Sequence, residues 1–90
     1  MTQYKQLSDI INNLKTSEEV NKFFHELLTE SEINVLSKRW RILNMLNDGC
    51  TQREIAKELN VSLCKVTRGS RILKDKNAIV TQILNGGKNE

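Results

Sequence analysis

Apolar positions along the chain recur at intervals of three and four, with polar residues between them, the period of amphipathic helices. Leu7, Ile10, Ile11 and Leu14 predict a first helix over residues 3–14. Val20, Phe23, Phe24, Leu27 and Leu28 form a broad stripe on a second, with Thr16 or Ser17 as its cap and Glu19 near the third helical position. In a third helix Ile33, Leu36, Trp40, Leu43 and Leu46 or Met45 run down one side. Thr29 stands at its cap with Glu32 in the capping-box position, and Gly49 ends it. Near the C-terminus, Ala78, Ile79, Ile83 and Leu84 predict a short last helix stopped by Gly86–Gly87, with Lys88–Glu90 as a frayed tail.

Between these elements lies "TQREIAKELNVSLCKVTRGSRILKD", Thr51 to Asp75. Thr51 and Glu54 repeat the capping box, and Ile55 and Leu59 share one face, with Ala56 small enough for a close helix crossing. Asn60 suits a left-handed turn residue, Val61 plugs the corner, and Ser62 caps a second helix carrying Val66, Gly69 and Ile72. Two short helices joined this way form either an ordinary αα-hairpin or a helix-turn-helix, whose second helix can enter a major groove.

Composition narrows the class. With 90 residues, 38% hydrophobic positions, few aromatics and no proline, the chain reads as a single all-α domain over residues 1–90, built from about six short helices. No run of about 18 apolar residues exists. The N-terminus lacks a basic-then-apolar signal pattern, so a cytoplasmic protein with no membrane partner is expected. Cys50, Cys64 and His25 match no common zinc spacing, and no metal site is expected. Cys50 is expected to line the core, the Cys64 thiol to face solvent or DNA, and His25 to cap or decorate a helix. No nucleophile–base pair can be named, so an enzyme is not expected.

Charge changes the picture more. Residues 1–35 hold three basic and six acidic side chains, and residues 36–90 hold eleven and five. A net charge of +3 therefore hides a basic C-terminal part. Arg53, Lys57, Lys65, Arg68, Arg71 and Lys74 surround the second helix of the pair, where cations reach phosphates or base edges. Ser62, Leu63, Lys65 and Val66 lie where the start of a reading helix approaches bases, although Val66 also suits the core. Leu63 fits a thymine methyl and Lys65 a guanine edge. Wide apolar stripes in so short a chain suit packing on a second copy, and a two-fold pair of reading helices would span two half-sites of a double-stranded DNA operator. The competing reading is a helical protein-interaction module that uses the surface around Phe23, Phe24 and Trp40 and binds no specific DNA.

Three phrases, "LLTESE", "SKRWRILNML" and "GCTQREIAKELNVSLCKVTRGS", carry a resemblance to the tryptophan repressor family from about Leu27 to Leu73. "TQREIAKEL…VTRGS" is its specific part, while "LSDIINNLKTSEEVNKFFHELLT" more closely resembles a related group of small, uncharacterised bacterial repressor-like proteins. The resemblance implies an intertwined homodimer that acts as a transcriptional repressor, with L-tryptophan as corepressor in the tryptophan-responsive members. It places Thr29, Arg39, Arg68 and Gly69 at the effector pocket, with Arg39 on the ligand carboxylate, Arg68 over the indole and Gly69 leaving room beside it. Bland roles stand beside these: a cap for Thr29, an acid partner for Arg39, phosphate for Arg68 and a close helix crossing for Gly69. Two positions depart from the family pattern. Ile72 stands where the family has a serine that meets the ligand's amino group, and Lys65 where it has a threonine in the reading helix.

Overall fold

A computed structural model describes residues 4–89, with side chains through residue 86. It is all-α, as the periodicity predicts: α1 (Lys5–Asn13), α2 (Ser17–Leu27), α3 (Glu30–Asn47), α4 (Gln52–Leu59), α5 (Leu63–Lys74) and α6 (Ile79–Asn89). Residues 1–3 of the chain, with the expected start of the first helix, lie outside the described residues, and the helix begins at Lys5. The chain divides into two compact units, Met1–Asn34 and Val35–Glu90.

In the first unit, short polar side chains start α2 and α3, whereas α1 begins after Tyr4 with no side-chain cap bond. Thr16 Oγ1 accepts from the Glu19 N–H at 3.1 Å, and Glu19 Oε1 accepts from the Lys15 N–H at 2.8 Å. Thr29 and Glu32 form a reciprocal box, at 3.1 and 3.0 Å, which opens α3. The Phe23 and Phe24 rings lie 6.2 Å apart in a tilted arrangement. His25 Nδ1 meets its own helix, 2.8 Å from Asn21 O. Tyr4, Leu7, Ile10, Ile11 and Leu27 are exposed, and none of the described residues before Val35 is buried.

The second unit has a core. Ile42, Ile55, Leu59 and Val66 are buried together, with Met45, Leu46, Cys50, Ala56 and Val61 packed against them. Two helix ends make this possible by the same device. Gly49 (φ 95°) ends α3, with Gly49 N–H donating to Leu46 O and Cys50 N–H to Met45 O. Asn60 (φ 56°) ends α4, with Asn60 N–H donating to Lys57 O and Val61 N–H to Ala56 O. Both are Schellman turns, and in each the residue just past the left-handed position, Cys50 or Val61, packs on the core. α6 is held to the end of α5 by buried Thr81, whose hydroxyl donates to Ile72 O at 3.2 Å.

The last helix departs from expectation. Gly86–Gly87 do not stop it, and helix continues through the expected frayed tail to Asn89. A helix-ending glycine works by adopting positive φ, and Gly49 alone among the described glycines does so. Glu90 lies outside the described residues.

Candidate nucleic-acid interface and adjoining cleft

α4 and α5 form the two-helix unit of the Thr51–Asp75 stretch. The Thr51–Glu54 box starts α4 with bonds of 3.1 and 2.9 Å, and Ser62 Oγ accepts from the Lys65 N–H at 3.4 Å to start α5. Val66, fully buried, turns one face of α5 into the core. Gly69 lets that face approach α3 closely. A methyl group there would stand 3.1 Å from Ile42 Cγ2 and 3.3 Å from Leu46 Cδ1. With Val66 inward, Cys64, Arg68 and Arg71, at steps of four and three, are left on the exposed side of the helix. Ser62, Leu63 and Lys65 at its start are exposed as well, as are Arg53 and Lys57 one turn apart on α4. Val66 therefore belongs to the core and leaves the group of residues that approach bases.

Among the described residues the one ion pair is Lys5–Asp9, far along the chain from these cations. Arg53, Lys57, Lys65, Arg68 and Arg71 thus present their charge to whatever meets α4 and α5.

One inter-helix hydrogen bond leaves no trace in the sequence. The Thr67 hydroxyl donates to Gln52 Oε1 at 2.8 Å, with Leu63 O a second acceptor at 3.0 Å. It ties the first turn of α4 to the middle of α5. The partners are fifteen residues apart, and no local spacing rule pairs them.

Beside α5 lies a cleft of 80 Å³ lined by Arg39, Ile42 and Leu43 of α3 and by Lys65, Arg68, Gly69 and Ile72 of α5. The four α5 positions follow steps of three, one and three, a single helical stripe. Arg39, Arg68, Gly69 and Ile72 are thus brought together. Gly69 both lines the cleft and permits the close crossing. Thr29 lies in the other unit, where its hydroxyl caps α3. A second cleft, of 230 Å³, shares Arg39, Ile42 and Lys65 with the first and adds Lys38. Neither periodicity nor the family pattern singles out Lys38, and its place beside Arg39 in "SKRWRIL" is the one hint of it.

A profile of the family described as "Trp repressor protein" matches residues 2–87. The chain is a member of the Trp repressor family. Relatives agree. A "Trp operon repressor homolog" from Xylella fastidiosa (strain M23) is 36% identical over 75 residues, covering 82% of each chain. Another from Chlamydia caviae is 37% identical over 67 residues, covering 73% of this chain and 66% of the relative. The "Uncharacterized protein YerC" of Bacillus subtilis (strain 168) is 37% identical over 68 residues, covering 76% of this chain and 65% of its own. No solved structure matches. Trp repressor family proteins are DNA-binding regulators without enzymatic activity, which assigns this chain a DNA-binding regulatory role. Among the described residues no three His, Cys, Asp or Glu side chains gather to hold a metal, and no helix is long and apolar enough to cross a membrane.

Proposed function

We propose that the chain is a sequence-specific transcriptional repressor that acts as a homodimer, with residues 1–90 as one DNA-binding domain and residues 51–75 as its helix-turn-helix. Two copies would present two α5 helices to an operator of two half-sites, about one helical turn apart. Occupancy of the operator would block transcription with no covalent step. The observation that carries the reading is the division of α5: Val66 and Gly69 face the core, and Lys65, Arg68 and Arg71 face outward without acid partners among the described residues. Ser62, Leu63 and Lys65 supply base contacts. Arg53, Lys57 and Arg71 hold phosphates.

Selection of bound duplexes from a random pool, followed by titration at rising salt, tests this. A preferred sequence together with a steep salt slope is the expected result, and retention without sequence preference removes the operator reading. In a panel of single-base operator variants, Lys65→Ala is expected to alter the preference and Arg71→Ala to weaken all duplexes alike. A second reading, a helical protein-interaction module, draws on exposed Val35, Leu36 and Trp40 of α3. It requires the random-pool selection to yield no consensus.

The cleft between α3 and α5 is the effector site of this proposal. Several relatives are named as Trp operon repressor homologs, and Arg39, Arg68 and Gly69 keep the corresponding pattern, which supports tryptophan as corepressor. Ile72 works against it. Tryptophan that raises operator affinity would act by favouring one placement of α5.

A further inference from the structure

We infer that Lys38 of α3, outside the helix-turn-helix, holds a backbone phosphate of the bound duplex, so that a third helix joins the DNA-contacting surface. The inference rests on the regulator reading above and adds to it a residue and an element. It starts from the second cleft, of 230 Å³, whose walls come from different helices. On one side Val35, Lys38, Arg39 and Ile42 follow steps of three, one and three, a single stripe of α3. On the other stand the α4–α5 turn and the start of α5, with Ser62 and Lys65. Those two residues are placed at base edges above, so Lys38 borders the point where the reading helix begins. Lys38, Arg39 and Lys65 line this cleft, no acid lines it, and none of the three has an ion-pair partner among the described residues. The first turn of α5 bears no acid either, whereas those of α2, α3 and α4 all do.

Cations gathered without acids repel one another and the positive end of α5, and an anion relieves that repulsion. Burial decides which kind of anion. Of the residues lining the cleft only Ile42 is buried, while Lys38, Arg39, Ser62 and Lys65 are exposed. A small free anion would stay largely in water there, where screened charges hold it weakly. A duplex instead brings a fixed row of phosphates. With the start of α5 at the base edges of a major groove about 12 Å wide, the strand that borders the groove lies within a side chain's reach. Lys38 meets it from α3, while Arg53 and Lys57 approach from α4. A lysine on a phosphate holds by charge and fixes placement, with no base information of its own.

Binding of the selected operator by the full chain at rising salt tests this, with Lys38→Ala, Lys38→Arg and Arg41→Ala beside the wild type. Arg41 is an exposed cation of the same helix that lines neither cleft. Lys38→Ala is expected to weaken every duplex of the single-base panel alike, about three- to tenfold for each half-site. It should also reduce the slope of log affinity against log salt by about one for each half-site. Lys38→Arg keeps the charge and is expected to keep both affinity and slope, and Arg41→Ala to leave the slope unchanged. Operators with one phosphate at a time replaced by a neutral methylphosphonate then locate the contact. At one position in each half-site the loss seen with the wild type should be absent with Lys38→Ala, since both changes remove the same interaction. Thermal unfolding shows that the variants fold. An unchanged slope for Lys38→Ala, an equal fall for Arg41→Ala, a loss that depends on base identity, or additive losses at every phosphate would each overturn the inference. So would stabilisation by millimolar inorganic phosphate that Lys38→Ala abolishes while duplex binding stays unchanged, which would assign the cleft to a free anion. A wild type that binds no duplex removes the regulator reading, whereas duplex binding indifferent to Lys38 removes this inference alone.

Discussion

Residues 4–34 and residues 35–86 are both helical and both striped with apolar side chains, yet they end differently. In the second unit Ile42, Ile55, Leu59 and Val66 close into a core. In the first, the stripes of α1 and α2 bury nothing completely, and Leu7, Ile10 and Ile11 stay 40–45% exposed. An amphipathic pattern marks which face wants cover, and contacts alone decide whether it is found within the same chain. The second unit finds cover at home because two Schellman turns fold α4 and α5 back on α3. The first is expected to find it on a second copy.

The largest expected effect tests the core side of this contrast. Ile55→Ala removes a fully buried side chain and is expected to cost about 2–5 kcal/mol of stability in chemical denaturation, independent of protein concentration. Ile10→Ala is the matching change on the other side. Its cost is expected to vanish at low concentration and grow at high concentration, because a dimer interface gains by mass action. Equal, concentration-independent losses for both would erase the distinction. Sedimentation equilibrium at micromolar concentration supplies the direct check, and a monomer that binds its operator at full affinity would defeat the dimer.

The elements of both units were legible because their signals are local: Thr–x–x–Glu boxes at Thr29 and Thr51, Ser62 at a cap, Asn60 at a left-handed turn. What escaped was long-range or conformational. Nothing in the sequence pairs Thr67 with Gln52, and the φ that separates helix-ending Gly49 from helix-continuing Gly86 is set by surroundings. The cleft was legible only as a set of family positions. That Arg39, Lys65 and Arg68 share it while Arg71 does not depends on the α3–α5 crossing, which periodicity along one chain segment does not specify.

Glycines sharpen the contrast between tight and open packing. Gly69→Ala is expected to destabilise by about 1 kcal/mol in thermal unfolding, since crowding of about 1–3 kcal/mol against Ile42 and Leu46 exceeds the gain in helix propensity. Gly86→Ala, with nothing within 4 Å of the new methyl, is expected to stabilise by about 0.5–1 kcal/mol. The same sign for both would mean that the crossing at Gly69 gives way easily.

A smaller effect separates folding from recognition. Thr67→Val keeps the shape and loses the bond to Gln52, with an expected cost of about 0.5–1.5 kcal/mol. Duplex affinity is expected to fall beyond what the stability loss explains, since the link between α4 and α5 sets their relative placement. Unchanged affinity in a fully folded variant would confine Thr67 to packing.

α5 would make a poor helix by itself. It has twelve residues, Gly69 sits near its middle, and Val66, Thr67 and Ile72 are β-branched. As a free peptide it would be mostly coil in water. Its helicity leans on the buried contacts of Val66 and Gly69, so its backbone is expected to open together with the core beneath it. Amide hydrogen exchange along α5 should therefore keep pace with α4 and the buried part of α3, with no faster local route. A helix tied to its scaffold in this way is expected to meet a partner already folded, and contact would then avoid the backbone ordering entropy, about 1–2 kcal/mol per residue, that a disordered segment must overcome.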